Sequence, residues 1–353
     1  MAKTYETLNG LRGAAAIAVV LFHAKPLFGG QLVPGGYLAV DLFFCLSGFV
    51  IAHAYDDRLP TLGPLAFIWR RIVRFYPLYM LGLILGAAMI ALELLVNPPA
   101  SMTWAQAAFT FVSGLFFMPT LGASELYPLN SPAWSLGLEL VINILYAVFF
   151  RYLNRRVLVA VAVLSFAILT WAVFDRGDAS IGANVGDLGS GLARAIFSFT
   201  IGVLIFRSRW VPRFGNPLLL VILLVVLLVL PVTSDPSPWR ATYDLFCIVA
   251  VFPLMVAFSQ VQPSRLQSTF EYLGATSYCI YAVHYPLIWA AQAAAKMAGI
   301  PLLVAGVTLI AGLLIACPLL DIYYDKPLRR RLLSLGHGGG GGGGGGVADG
   351  TRS

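Results

Sequence analysis

The residues best suited to catalysis are a histidine and an aspartate in two consecutive apolar segments. His23 lies in residues 11–28 and Asp41 in residues 37–55. If these segments form antiparallel membrane helices, both side chains lie a similar distance below the same surface. An imidazole oriented by a carboxylate can act as a general base, so the positions predict a catalytic pair. The alternative is an ion pair that only holds the two helices together.

Further polar residues lie in later apolar segments. Glu139 and Asn143 are four residues apart, which places them on one helical face. Glu139 is predicted to orient a catalytic group or to bind a substrate, and the alternative is a structural hydrogen bond between helices. Arg194 and Asp244 lie near the outer ends of two later segments. We expect these two residues to pair with each other or to reach the aqueous surface.

Several arginines have a spacing suited to binding anions. Arg12 precedes His23 by eleven residues, close to three helical turns, so both side chains share one helical face about 16 Å apart. Arg70, Arg71 and Arg74 follow the second apolar segment. Guanidinium groups bind phosphates through paired hydrogen bonds, so these three predict a phosphate site at the cytoplasmic surface. The alternative is that they only keep this loop on the cytoplasmic side.

The composition indicates which elements must position these residues. Of 353 residues, 59% are hydrophobic and only 11% are charged. Soluble domains carry about twice that charged fraction, so the composition excludes a soluble enzyme with one large core. The net charge of +7 lies in short loops between apolar runs rather than on a nucleic-acid-binding face. The predicted class is an all-α integral membrane protein.

The distribution of arginine and lysine predicts the topology. The chain has eleven apolar segments, and ten spanning helices with both termini in the cytoplasm give the strongest excess of positive charge inside. Residues 104–120 then form one extra partial or re-entrant helix. Residues 1–335 are predicted to form a single transmembrane domain. Residues 336–353, which include an unbroken glycine run, are predicted to be a disordered tail.

Five motifs, in order, resemble those of the acyltransferase-3 family of integral membrane acyltransferases, over most of residues 5–330. The first combines Arg12 with His23, and the second is GGYLAVDLFFCLSGFVI, with Asp41, Ser47 and Gly48. The last three are RRIVRFYPLY with Arg70, Arg71, Arg74 and Pro77; SPAWSLGLEL with Trp134, Ser135 and Glu139; and GATSYCIYAVHYPLI with Ser277, Tyr278, Tyr281, His284 and Pro286. Each motif is weak alone, and their shared order makes the resemblance specific.

This resemblance implies a function. It implies an enzyme of the bacterial inner membrane that transfers an acyl group, such as acetyl, from cytosolic acyl-CoA to a hydroxyl of an extracytoplasmic carbohydrate or glycan. His23, Asp41 and Glu139 are then the expected catalytic residues. The expected substrate-binding residues are Arg12, Arg70, Arg71, Arg74, Ser47, Trp134, Tyr281 and His284.

Other functions remain open from the residues alone. Charges inside a membrane also mark the pathways of transporters and flippases, and an acyl-responsive regulator would bind CoA without turnover. We expect no metal, because no cluster of histidine, cysteine and carboxylate residues has ligand spacing. We also expect no bound cofactor and no nucleic-acid partner. Acyl-CoA is expected as a donor substrate only.

Overall fold

A computed structural model describes residues 5–96, 101–230, 235–261 and 266–337, and it is built from helices. Within these ranges the only strand-like pairing is a single bridge between Glu125 and Asn184. The helices, in chain order, are α1 (Glu6–His23), α2 (Lys25–Phe28), α3 (Ala39–Tyr55), α4 (Leu59–Leu62), α5 (Pro64–Val96), α6 (Trp104–Leu115), α7 (Ala133–Phe149), α8 (Arg155–Arg176), α9 (Leu188–Arg207), α10 (Pro217–Val229), α11 (Pro238–Phe246), α12 (Phe252–Phe258), α13 (Gln267–Ala298), α14 (Leu302–Leu320) and α15 (Lys326–His337).

In the described part of the chain, seven helical stretches are long and apolar enough to cross a membrane. They contain α3, α5, α7, α8, α9, the pair α11 and α12, and the pair α14 and α15. Two five-residue π-helical segments, Cys247–Val251 and Asp321–Asp325, join the helices of each pair. The predicted class of all-α, multi-pass membrane protein is therefore confirmed. The number of ten spanning helices and the cytoplasmic termini stay predictions.

The helix α6 is short. It has 12 residues, and at about 1.5 Å per residue it extends roughly 18 Å, less than the ~30 Å thickness of a hydrocarbon core. Thr103 and Gln106 cap its first turn reciprocally, which defines where it begins. This length agrees with the prediction that residues 104–120 do not cross the membrane.

Two helix boundaries differ from the prediction. The arginine-rich residues 70–74 lie inside α5, which begins at Pro64 and continues through Pro77, rather than in a loop. The tail was predicted to begin at residue 336, but α15 continues to His337. Residues 338–353 of the predicted tail lie outside the described residues.

Glycines allow the central helices to pack closely. A Cβ atom added to Gly48 of α3 would lie 2.0 Å from the carbonyl oxygen of Phe199 in α9. A Cβ atom added to Gly13 of α1 would lie 2.4 Å from the Cβ of Leu273 in α13. Backbones this close leave no space for a side chain, as expected where small residues drive helix association in membranes.

The contact at Gly48 gives a testable prediction. We expect Gly48→Ala to destabilise the protein by about 1–3 kcal/mol, because α3 and α9 must separate to admit the methyl group. Gly189→Ala is a matched control in α9, since nothing lies within 4 Å of a Cβ there. Thermal unfolding in detergent measures both. Equal unfolding temperatures for the two variants would contradict this packing.

Candidate functional site

Three arginines of the sequence motifs surround one cavity of about 180 Å³. Arg12 comes from α1, and Arg71 and Arg74 come from adjacent turns of one face of α5. Ser47 of α3 and Glu139 of α7 line the same space, which we call the arginine cavity. Tyr281 of α13 also lines this cavity. The structure thus brings together six of the predicted site residues from five helices.

The contacts of these arginines leave donor groups free. The Arg12 guanidinium donates to the Ser277 hydroxyl at 2.9 Å and to the Gly274 carbonyl at 2.7 Å. The guanidinium groups of Arg71 and Arg74 lie 4.8 Å from the ring centroids of Phe75 and Tyr278. Arg71 Nε and Arg74 Nη1 are buried and have no hydrogen-bond partner among the described residues. Such groups are costly unless a ligand satisfies them.

Glu139 is the one carboxylate among the described residues that line the arginine cavity. Its Oε1 accepts a hydrogen bond from the Ser47 hydroxyl at 2.6 Å and lies 3.6 Å from Arg71 Nη2. Glu139 therefore forms both a hydrogen bond between α7 and α3 and an ion pair with Arg71. Three guanidinium groups facing one carboxylate leave an excess of two positive charges, so the cavity is suited to an anion.

Two predicted substrate-binding residues lie elsewhere. Arg70 is not among the described residues that line the arginine cavity. Arg70 lies one position before Arg71. A helix turns about 100° per residue, so the two side chains point in different directions. Trp134 packs on Gly182 and lies 5.8 Å from the Arg194 guanidinium, also outside the lining. Neither residue lines the arginine cavity, so neither is placed to contact a substrate bound there.

Tyr281 separates the arginine cavity from a pair of histidines. Its hydroxyl is 2.6 Å from the Ser135 hydroxyl and donates to the Pro132 carbonyl at 3.1 Å. Its ring packs edge-on against Phe43, with centroids 5.5 Å apart. The His284 ring centroid is 5.8 Å away, and His284 is not among the described residues that line the arginine cavity. The tyrosine thus lies between the arginines and the imidazoles.

His23 and His284 lie side by side, with ring centroids 5.3 Å apart. His284 Nδ1 is 2.8 Å from the carbonyl oxygen of Tyr281, and a carbonyl can only accept, so Nδ1 carries the proton. The other ring nitrogen, Nε2, is then a hydrogen-bond acceptor. It is buried and has no partner among the described residues. The sequence had placed His284 in a motif without indicating this proximity.

The expected pairing of His23 with Asp41 is wrong. Both carboxylate oxygens of Asp41 accept hydrogen bonds from Arg194, at 2.9 Å and 2.5 Å, and both side chains are only 1% exposed. Asp41 points to α9 because α3 packs along that helix through Gly48. Helix rotation cannot be obtained from spacing along the chain. The catalytic role predicted for Asp41 loses its geometric basis with this pairing.

The expected pairing of Arg194 with Asp244 is also wrong. Asp244 accepts hydrogen bonds from the Tyr37 hydroxyl at 2.5 Å, from Arg240 Nε at 3.1 Å and from the Ala179 amide at 2.8 Å. Arg194 and Arg240 are therefore each paired with a buried carboxylate, Asp41 and Asp244 respectively. The positions of Arg194 and Asp244 near the ends of apolar segments did not predict these partners.

A second cavity, of about 370 Å³, opens beside His23, and none of the described residues that line it is an arginine. Trp289 and Gln292 of α13 line it, together with Lys25 and Gln31. We call this space the histidine cavity. The sequence alone does not indicate a site at these residues, because a tryptophan and two glutamines in and beside apolar runs form no motif. No group of three or more potential metal ligands occurs in the described part of the chain.

Comparison with known proteins supports the family resemblance of the sequence motifs. A profile of the acyltransferase-3 family, described as an acyltransferase domain, matches residues 5–321. The chain is 43% identical over 152 residues to "Protein 2 in picA locus" of Rhizobium radiobacter, covering 40% of this chain and 79% of that protein.

Two longer alignments cover most of the chain. It is 25% identical over 346 residues to the "Putative membrane-bound transacylase BcsY" of Komagataeibacter xylinus, covering 92% of this chain and 85% of BcsY. It is also 25% identical over 319 residues to the peptidoglycan O-acetyltransferase OatA of Listeria monocytogenes, covering 81% of this chain but only 50% of OatA. No solved structure matches.

Proposed function

This chain belongs to the acyltransferase-3 family and is a membrane acyltransferase, and from that premise we propose that it moves an acyl group, acetyl in the simplest case, from acyl-CoA to a carbohydrate hydroxyl. The donor is cytosolic and the acceptor is an extracytoplasmic glycan. The observation that carries this proposal is the arginine cavity, which holds two uncompensated positive charges and is connected to the histidine pair through Tyr281. We place the protein in the bacterial inner membrane.

The arginine cavity is the proposed donor site. Arg71 and Arg74 offer buried N–H groups without partners, which suit phosphate or carbonyl oxygens of acyl-CoA. The cavity volume of about 180 Å³ is smaller than a typical small-molecule pocket, so it holds only part of this donor. Glu139, which accepts a hydrogen bond from Ser47, holds Arg71 in place. Arg12, three helical turns from His23, contacts the same part of the donor.

His23 is the proposed general base. It accepts the proton of the acceptor hydroxyl as that oxygen attacks the thioester carbonyl carbon. A new carbon–oxygen ester bond forms, the carbon–sulfur bond breaks, and the CoA thiolate then takes the proton from His23. His284 takes the orienting role first expected of Asp41, because its unpartnered Nε2 can accept a hydrogen bond from a ring N–H of His23. Such contacts commonly tighten when substrate binds.

The proposed function is tested with purified protein in detergent. We expect it to transfer radiolabel from acyl-CoA to envelope glycans and to release free CoA thiol. A transporter would need sealed vesicles, and a CoA-binding regulator would release no thiol. Mass spectrometry of envelope glycans from cells with and without the protein identifies the modified sugar by the mass of one acyl unit. Glycans of equal mass, and no thiol release, would exclude the proposal.

Neighbouring arginines provide a sharp test of the donor site. We expect Arg71→Ala to raise KM for acyl-CoA roughly 10- to 100-fold, as for the loss of a charged hydrogen bond. Arg70→Ala is the matched control, since it removes the same charge from the same turn but not from the cavity. Steady-state kinetics with varied acyl-CoA measure both. Equal KM values in the two variants would contradict a donor site at this cavity.

A further inference from the structure

Trp289 and Tyr285 line two adjoining cavities on the same side of the histidine pair. One is the histidine cavity. The other, of about 790 Å³, lies beneath α6 and includes Gln106, Ser124 and Glu125, and we call it the α6 cavity. The two aromatic rings pack against each other with centroids 5.0 Å apart. A ligand that contacts Trp289 can therefore extend from one cavity into the other.

The lining of the histidine cavity fits a sugar ring. A pyranose has C–H faces that pack on aromatic rings and hydroxyl groups around its edge that need donors and acceptors. Trp289 supplies an aromatic surface, and Gln31 and Gln292 supply amides, with Lys25 as a further donor. Gln31 Oε1 is buried without a hydrogen-bond partner among the described residues, so it is available to a hydroxyl.

The position and size of the two cavities indicate how much of a glycan is bound. The Tyr285 ring is 5.2 Å from the His23 ring, so a sugar on Trp289 can present a hydroxyl to the proposed base. The cavity of about 370 Å³ lies near the lower end of small-molecule pockets. The larger α6 cavity, with the carboxylate of Glu125 and the hydroxyl of Ser124, continues the polar lining beyond that first ring.

We propose that the acceptor is an oligosaccharide of two or more units. The sugar that receives the acyl group lies on Trp289 in the histidine cavity, and the following units lie in the α6 cavity against Glu125. This proposal rests on the proposed function, because it assumes that His23 acts on the acceptor. It assigns Trp289 and Glu125 to acceptor binding, and it makes the length of the glycan a determinant of activity.

The test uses the full chain in detergent with radiolabelled acyl-CoA. The probes are envelope glycans of the producing cells, released from lipid and separated into a monosaccharide pool and an oligosaccharide pool. We expect at least about tenfold higher kcat/KM for the oligosaccharide pool. We also expect Trp289→Ala to raise KM for that pool about tenfold, as for loss of a central aromatic contact. Glu125→Gln should raise KM only for the longer glycans.

Two controls separate this proposal from the proposed function. Trp171→Ala removes a tryptophan that is 66% exposed on α8 and should leave KM unchanged. Slow acyl-CoA hydrolysis without acceptor should also be equal in Trp171→Ala and the parent protein, because Trp171 lines neither the arginine cavity nor the histidine cavity. Equal use of both pools, unchanged KM in Trp289→Ala, or transfer to lipid-linked glycans alone would overturn the acceptor site. Absence of acyl-CoA cleavage by the parent protein would instead overturn the proposed function.

Discussion

Replacing His23 by alanine is expected to lower kcat for acyl transfer by about 10²- to 10⁴-fold, the usual contribution of a general base. KM for acyl-CoA should change little, because His23 does not line the arginine cavity. The measurement is initial-rate transfer of radiolabel to envelope glycan by purified protein, with folding checked by size-exclusion chromatography. The loss should be in the chemical step, so a pre-bound donor should remain unreacted in single-turnover experiments.

His53→Ala is the matched control for this substitution. His53 also lies on a membrane helix, but it packs against the rings of Tyr5 and Phe206, at centroid distances of 5.1 Å and 5.6 Å. We expect its replacement to affect stability more than turnover. A folded His23→Ala protein with normal kcat would refute the proposed mechanism, and so would equal loss of kcat in both variants.

Replacing Asp41 by leucine is expected to lower the free energy of unfolding by about 3–5 kcal/mol. The reason is that Arg194, which is 1% exposed, would keep its charge in a buried position without a counter-ion. Arg194→Met should be comparably harmful, since Asp41 would then be the unpaired charge. Thermal and denaturant unfolding in detergent measures each variant against the parent protein.

The double variant Asp41→Leu with Arg194→Met separates a structural role from a catalytic one. Removing both charges together should recover much of the lost stability. Recovery should be incomplete, because Arg194 also donates to the carbonyl oxygens of Ile181 and Tyr37. We expect the folded double variant to regain acyl transfer. A double variant that is stable but inactive would indicate that Asp41 has a catalytic role after all.

The sequence predicted the class of fold because membrane helices need long apolar segments and closely packed small residues. Gly48, a small residue in the second motif, lies where α3 meets the backbone of α9. The sequence also predicted that Arg12 and His23 share a face of α1. Each of them contacts α13, through Ser277 and His284 respectively. Periodicity within one helix was sufficient for these conclusions.

Partners on different helices could not be predicted, because spacing along the chain gives depth but not rotation. Asp41 was expected to contact His23, but it faces α9 and binds Arg194. The same limit explains Arg70, which was expected to bind substrate together with Arg71 and Arg74 but is not among the described residues that line the cavity. His284 was predicted as a binding residue, and only the packing of α1 on α13 shows that it adjoins His23.

If Arg12 contacts the donor and His23 acts on its thioester as proposed, the packing of α1 against α13 makes the first helix a spacer of fixed length between the two sites. Gly13 holds its backbone against Leu273, so sliding or tilting α1 would open the contact. Arg12 and His23 are rigidly spaced along that helix, at about 16 Å. A thioester whose arm is too short or too long for this interval would be bound at one end and miss the imidazole at the other. Discrimination among thioesters would then depend on arm length as well as on the identity of the acyl group.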